Sequence, residues 1–176
     1  LAEKIKFFFN RLTTKNVLKK INSDVFKYFQ IKTFTSFLTG IFTFLILYFF
    51  NSDLAPTLGI FAFFLNFIPF VGSLISIVIP TIFSLIQFFS FFESIIILIM
   101  LTFSQILIGN FLETKMMGKT LNLSPIIMIV FLSIMGKVWG IAGMFLSVPI
   151  LVFLLIIFSN LNSTKNIAIL ISEKIK

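Results

Sequence analysis

Cysteine and histidine are absent from all 176 residues. Their absence removes thiol chemistry, disulfides, zinc ligation by these residues and any histidine general base within the chain. Charge is scarce as well: 11% of residues are charged and six are acidic. The two aspartates, Asp24 and Asp53, both lie outside the apolar runs, so intramembrane aspartyl chemistry lacks its pair. Rhomboid-type serine chemistry lacks its histidine, and neither H-E-x-x-H nor G-x-x-x-x-G-K-[ST] occurs. The chain reads as a non-enzyme that implies no cofactor and no metal site.

Apolar bulk fills the space these residues leave: 59% of the chain is hydrophobic, 27 residues are phenylalanine, and the mean hydropathy is +1.13. Crossing a hydrocarbon core of about 30 Å takes about 20 helical residues, so the distances between charges are the informative quantity. Uncharged intervals of 20, 39, 19, 17 and 27 residues follow Lys32, Asp53, Glu93, Lys119 and Lys137 in turn. The expected fold class is all-α, a polytopic transmembrane helical bundle with proline-broken or re-entrant hairpins, preceded by amphipathic helices. Residues 1–32 form the basic amphipathic region, 33–160 a transmembrane domain of five to six membrane-embedded helices, and 161–176 a cytoplasmic tail. The chain begins at Leu1 without an uninterrupted apolar leader, which reads as a segment of a longer protein.

The net charge of +8 is unevenly distributed, with eight of the fourteen basic residues at or before Lys32. Apolar positions recur among them at helical spacing, from Leu1, Ile5, Phe8 and Leu12 to Leu18, Ile21, Val25 and Phe29. One or two helices lying on an anionic cytoplasmic leaflet, or a solvated pair packed on the rest of the protein, both satisfy that pattern. A nucleic-acid partner does not. If Thr33–Phe50 crosses outward and the 39-residue interval enters and returns, thirteen basic residues face the cytoplasm and Lys137 alone faces out. A single crossing of the long interval would leave nine inside and five outside, so the positive-inside rule favours the return.

A return needs a turn, and "NFIPFVGS" (Asn66 to Ser73) offers one. Pro69 disfavours helix at Ile68, and Gly72 tolerates close approach and unusual backbone angles. The predicted arms are Leu54–Phe67 and Ser73–Gln87. Irregular backbone at membrane depth persists only where protein or a watery cavity covers it, so this break is either part of a permeation path or a simple turn at an interface.

Two further tracts are punctuated. In and just before "GNFLETKMMGKTLNLSP" (Gly109 to Pro125), Gln105, Asn110 and Glu113 recur at spacings that let them share a helix face. A carboxylate there can bind a proton or a sodium ion, or simply pair with Lys115 or Lys119 in water. In "SPIIMIVFLSIMGKVWGIAGMFLSVPI" (Ser124 to Ile150), Ser124 before Pro125 reads as a helix start. Gly136, Gly140 and Gly143 make a small-residue stripe suited to close backbone approach, and Trp139 suits an interface. Pro125 to Met135 is short for a span, which predicts another hairpin or a tilted half-helix.

Four segments in order, "YFQIKTFTSFLTG", "LNFIPFVGS", "GNFLETKMMGKTLNLSP" and "WGIAGMFLSVPI", resemble the C-terminal half of the autoinducer-2 exporter family, the PerM-like permeases. One departure is Thr114, where the family usually has proline after the glutamate. The resemblance implies a multi-pass protein of the bacterial cytoplasmic (inner) membrane that forms homo-oligomers. Members have been assigned export of autoinducer-2, and some relatives sodium(lithium)/proton antiport. Its motif positions here are Asn66, Pro69, Gly72, Glu113, Lys115, Gly118, Pro125, Trp139, Gly140, Gly143 and Pro149. With it, the Pro69 hairpin is expected to line the path. The leading expectation is a secondary transporter exporting a small solute with a proton or sodium gradient. A passive oligomeric pore and a non-transporting scaffold gathering lipid or partners are the alternatives.

Overall fold

The computed structural model describes the backbone of residues 2–117, 123–160 and 171–172, with side chains at residues 19, 22–117, 123–159 and 171–172. Every described element is helical. Four helices among the described residues are long and apolar enough to cross a membrane: Asn22–Phe49, Val71–Phe88, Phe91–Met117 and Pro125–Ser159. The chain divides into two compact units, one of residues 1–29 and 119–176, the other of 30–118.

Helix α1 runs from Ala2 to Phe49 without interruption. The helix continues through residue 32, where the sequence pattern sets a surface region apart from a span. The reason is local: no glycine or proline occurs before Gly40, so nothing in the basic segment stops a helix. The stop comes at Asn51, a left-handed residue (φ 56°) that asparagine tolerates. Ser52 N–H donates to Leu47 O and Asn51 N–H to Tyr48 O, both at 2.9 Å, the two bonds of a Schellman ending.

In the unit of residues 30–118, α2 (Ala55–Leu65) and α3 (Val71–Phe88) form the expected hairpin. Pro56 sits in the first turn of α2, where its missing donor is harmless. The break falls where Pro69 and Gly72 predict it. Val71 N–H donates to Pro69 O at 2.6 Å across Phe70, whose φ of 59° and ψ of −58° make this a γ-turn of the rare, strained kind. Gly72 then packs against the backbone carbonyl of Leu65 at the end of α2, leaving no room for a Cβ.

At about 1.5 Å per residue α2 covers only about 16 Å and α3 about 27 Å, so the hairpin is asymmetric. At its open end Gln87 ties α3 to the α1–α2 turn: Oε1 accepts from Ser52 Oγ (3.1 Å) and Asp53 N–H (3.2 Å), and Nε2 donates to Asn51 O (3.3 Å). Between the two ends, α1 and α2 meet backbone to backbone. A Cβ on Gly40 would lie 2.9 Å from Gly59 O, and one on Gly59 2.9 Å from Gly40 O. Ile46, Leu47, Ala55, Leu58, Ile97 and Leu101 form the buried apolar core of this unit.

Ser90 caps α4 (Phe91–Gln105), its hydroxyl accepting from Glu93 N–H at 3.4 Å. The helix then widens into a π-helix, Ile106–Glu113, before the short α5, Thr114–Met117. Five-residue hydrogen bonding changes the direction in which each following side chain leaves the axis, and such stretches recur at functional positions.

In the unit of residues 1–29 and 119–176, α6 (Pro125–Asn160) begins at the expected proline and breaks at Gly140, with φ 62° and ψ −143°. That conformation belongs almost solely to glycine. The chain folds back there: Gly143 abuts the Met135 carbonyl, and a Cβ on Gly136 would lie 2.5 Å from Met144 Cε. The small residues therefore admit the chain's own returning arm. Trp139 is exposed beside the turn, and Pro149 is buried in the return arm. Phe29 and Phe145 stack at 6.5 Å within this unit.

Candidate functional site

Helix α1 buries Lys32, Thr35, Ser36, Thr39 and Thr43. Offsets of three, four, seven and eleven from Lys32 put them on one helical face, as 3.6 residues per turn requires. Polar groups from the hairpin tip and from the far end of the α4 span converge on this stripe.

The first meeting is ionic. Lys32 Nζ lies 2.7 Å from Glu113 Oε1, with side-chain exposures of 6% and 15%. The Thr35 hydroxyl stands 3.0 Å from Glu113 Oε2 and 3.2 Å from Lys32 O, and its single proton serves one acceptor at a time. Glu113 reaches this place because it ends the π-helix. Both carboxylate oxygens are committed, and lysine and glutamate neutralise each other. The partner is not Lys115, the neighbour in sequence, which is exposed; Lys119, the other expected partner, lies outside the described residues.

The second meeting is an amide bridge one helical turn, about 6 Å, along α1. Asn66 closes α2 and is 2% exposed. Its Nδ2 donates to Ser36 Oγ at 3.1 Å, and its Oδ1 accepts from Gln105 Nε2 at 3.0 Å. One side chain at the hairpin tip thus joins α1 to the last residue of α4. Beyond it, Thr39 is buried with its hydroxyl unpartnered among the described residues. Asn66→Ala would leave the Ser36 and Gln105 groups without their partner, and is expected to cost about 1–3 kcal/mol in an unfolding titration.

The structure brings Asn66, Gln105 and Glu113 to one stripe, with Pro69 half-buried and Gly72 buried at the tip. It does not bring Asn110 or Lys115. Asn110 is exposed on the π-helix, and Lys115 is exposed with its Nζ 5.7 Å from the Phe111 ring centroid. Gly118 lies outside the described residues. Pro125, Gly136, Trp139, Gly140, Gly143 and Pro149 belong to the other unit. Lys32, Thr35, Ser36 and Thr39 escaped the reading of the sequence, although "KTFTSFLT" carries the signal: hydroxyls at every third or fourth position into an uncharged run, starting from a lysine.

A polar stripe buried among helices of membrane-crossing length fits what the comparisons with known proteins find. The family model described as AI-2E family transporter matches residues 1–163. A Borreliella burgdorferi protein provisionally designated a transport protein is 38% identical over 153 residues, 86% of this chain and 42% of its own length. The AI-2 transport protein TqsA of Escherichia coli K12 is 31% identical over 156 residues, 89% of this chain and 45% of its own. The chain spans less than half the length of these relatives. With the match running through nearly every described element, the chain belongs to the AI-2E family of membrane transporters, and it is not an enzyme.

Proposed function

We propose that the chain forms one half of a secondary transporter that exports a small polar solute across the bacterial cytoplasmic membrane, coupled to a proton or sodium gradient. Autoinducer-2 is the first solute to test, because TqsA carries it in its name. In this reading the solute passes the α2–α3 tip, Glu113 is the coupling carboxylate, and homo-oligomers are the working assembly. The basic residues up to 32 and the tail from 161 face the cytoplasm, in contact with lipid.

The observation that carries the proposal is the Lys32–Glu113–Thr35 cluster set one turn from the Ser36–Asn66–Gln105 bridge, inside helices long enough to span. Ionisable and amide side chains are costly within membrane-crossing segments, and where they occur together they mark solute and ion pathways. The broken α2–α3 tip that carries Asn66 adds the irregular backbone that transporters use at solute sites.

The test is efflux of autoinducer-2 from liposomes holding the full-length protein, with and without an imposed proton or sodium gradient. Saturable, gradient-dependent efflux that becomes indifferent to the gradient in Glu113→Gln is the expected result. Equal, non-saturating leakage under every condition would make the protein a pore and remove Glu113 from any coupling role.

A further inference from the structure

We infer that Lys32 is a built-in competitor for the cation at Glu113: its ammonium occupies the position a coupling ion would take, so the ion pair and cation binding exclude each other. The inference rests on the cation-coupled reading above and names the residue that regulates its site. The geometry supports it in three ways. First, the occupied position is oxygen-lined. Glu113 Oε1 is 2.7 Å from Nζ, and Glu113 Oε2 is joined to the Thr35 hydroxyl at 3.0 Å. With the ammonium withdrawn, two carboxylate oxygens and one hydroxyl remain, hard ligands suited to a proton or a small monovalent cation.

Second, the charges permit only one occupant. Lys32 and Glu113 sum to zero in a largely buried place. A cation added beside the seated lysine would leave a net positive charge there with no counter-ion, whereas exchange for the lysine keeps the site neutral. Among the described residues, no other ion pair or hydrogen bond engages either carboxylate oxygen. Lys115, the nearest lysine in sequence, is exposed over Phe111.

Third, the lysine has somewhere to go. Lys32 is the last charge before the 20-residue uncharged run and the end of the basic segment. Its four-carbon stem lets the ammonium swing toward water while the backbone stays in α1. Thr35, one turn on, remains as a fixed ligand.

The test uses full-length protein freed of any other cysteine, because this stretch contains none. Lys32→Cys removes the competitor, and aminoethyl methanethiosulfonate restores it, forming a mixed disulfide that carries an amine and releasing methanesulfinate. The readouts are solute efflux against sodium concentration at constant ionic strength, efflux against an imposed pH gradient, and sodium-dependent thermal stabilisation of the purified protein. Lys32→Cys is expected to lower the half-saturating sodium concentration about tenfold, the scale on which one close opposite charge acts. Aminoethylation, confirmed by intact mass, should return it to the wild-type value, and reductant should undo the return. Lys32→Arg should resemble wild type.

Response to the pH gradient alone identifies the cation as a proton, with the shift then read on the pH axis. A wild-type protein that is gradient-dependent, beside a Lys32→Cys variant with unchanged sodium and pH responses, overturns the inference and spares the transporter. If transport ignores both gradients, the coupled reading falls. Sodium stabilisation gained in Lys32→Cys and absent from Lys32→Cys/Glu113→Gln would then still uphold the competition, and its absence would end it.

Discussion

Glu113→Leu is expected to destabilise the protein by about 3–5 kcal/mol, and the double variant Lys32→Met/Glu113→Leu to recover most of that loss. The single change removes the counter-charge, 81 residues away in sequence, and the α1 ammonium must then either stay buried unpaired or give up its packed place beside Thr35 to reach water. The double change removes both charges and fills the space with apolar groups of similar length. The desolvation cost of a buried pair offsets much of its attraction, so losing the pair as a whole costs little while losing half of it costs a great deal. Unfolding titrations of the parent, Glu113→Leu, Lys32→Met and the double variant in mixed micelles measure the coupling directly. Additive losses would mean that the two side chains do not depend on each other.

Gly72→Ala is expected to cost about 3 kcal/mol and to disturb the hairpin tip. The new Cβ would fall on the Leu65 carbonyl, which is backbone and has no rotamer by which to retreat. Relief requires the first turn of α3 to move away from the end of α2. That displacement acts on the γ-turn at Phe70 and on Asn66 beside it, so the bonds to Ser36 and Gln105 should loosen with it. Cysteines at Ser36 and Asn66 offer a check: efficient cross-linking in the parent and weak cross-linking with Gly72→Ala is the expected pattern. Unchanged stability and cross-linking would mean that the tip accommodates a Cβ after all.

Both residues stand in segments that their sequence made legible, and the reason is covalent. Pro69 and Gly72 restrict or release the backbone at their own positions, so the reversal can be placed without knowing what surrounds it. The Gly140 reversal is legible in part for the same cause, since the short run from Pro125 foretells a break. Glu113 stood out as a charge at the end of an apolar span. Its partner did not, because Lys115 is two residues away and Lys32 is distant in the chain, and only packing decides between them. The π-helix left no mark beyond Gly109 and Asn110 in an apolar run, since a change of hydrogen-bond register has no residue of its own. The continuity of α1 was hidden by charge: a change from basic to apolar composition marks a change of surroundings, and the helical backbone ignores it.

Four buried serines in the α3–α4 pair have a consequence of another kind. The two helices are in contact, and their buried residues are Gly72, Ser76, Pro80 and Ser84 on one and Ser94, Ile97, Leu101 and Ser104 on the other. Each serine hydroxyl donates within its own helix: Ser76 to Ser73 O, Ser84 to Pro80 O, Ser94 to Ser90 O and Ser104 to Leu101 O, at 2.8–2.9 Å. Among the described residues, none of these four hydroxyls bonds the facing helix. Small displacements along the helix axes therefore break none of these hydrogen bonds, and the low side chains offer shallow ridges to climb. At these four serines the contact between α3 and α4 is therefore one of shape alone, while polar bonds fasten the hairpin at its two ends, through Asn66 at the tip and Gln87 at the open end.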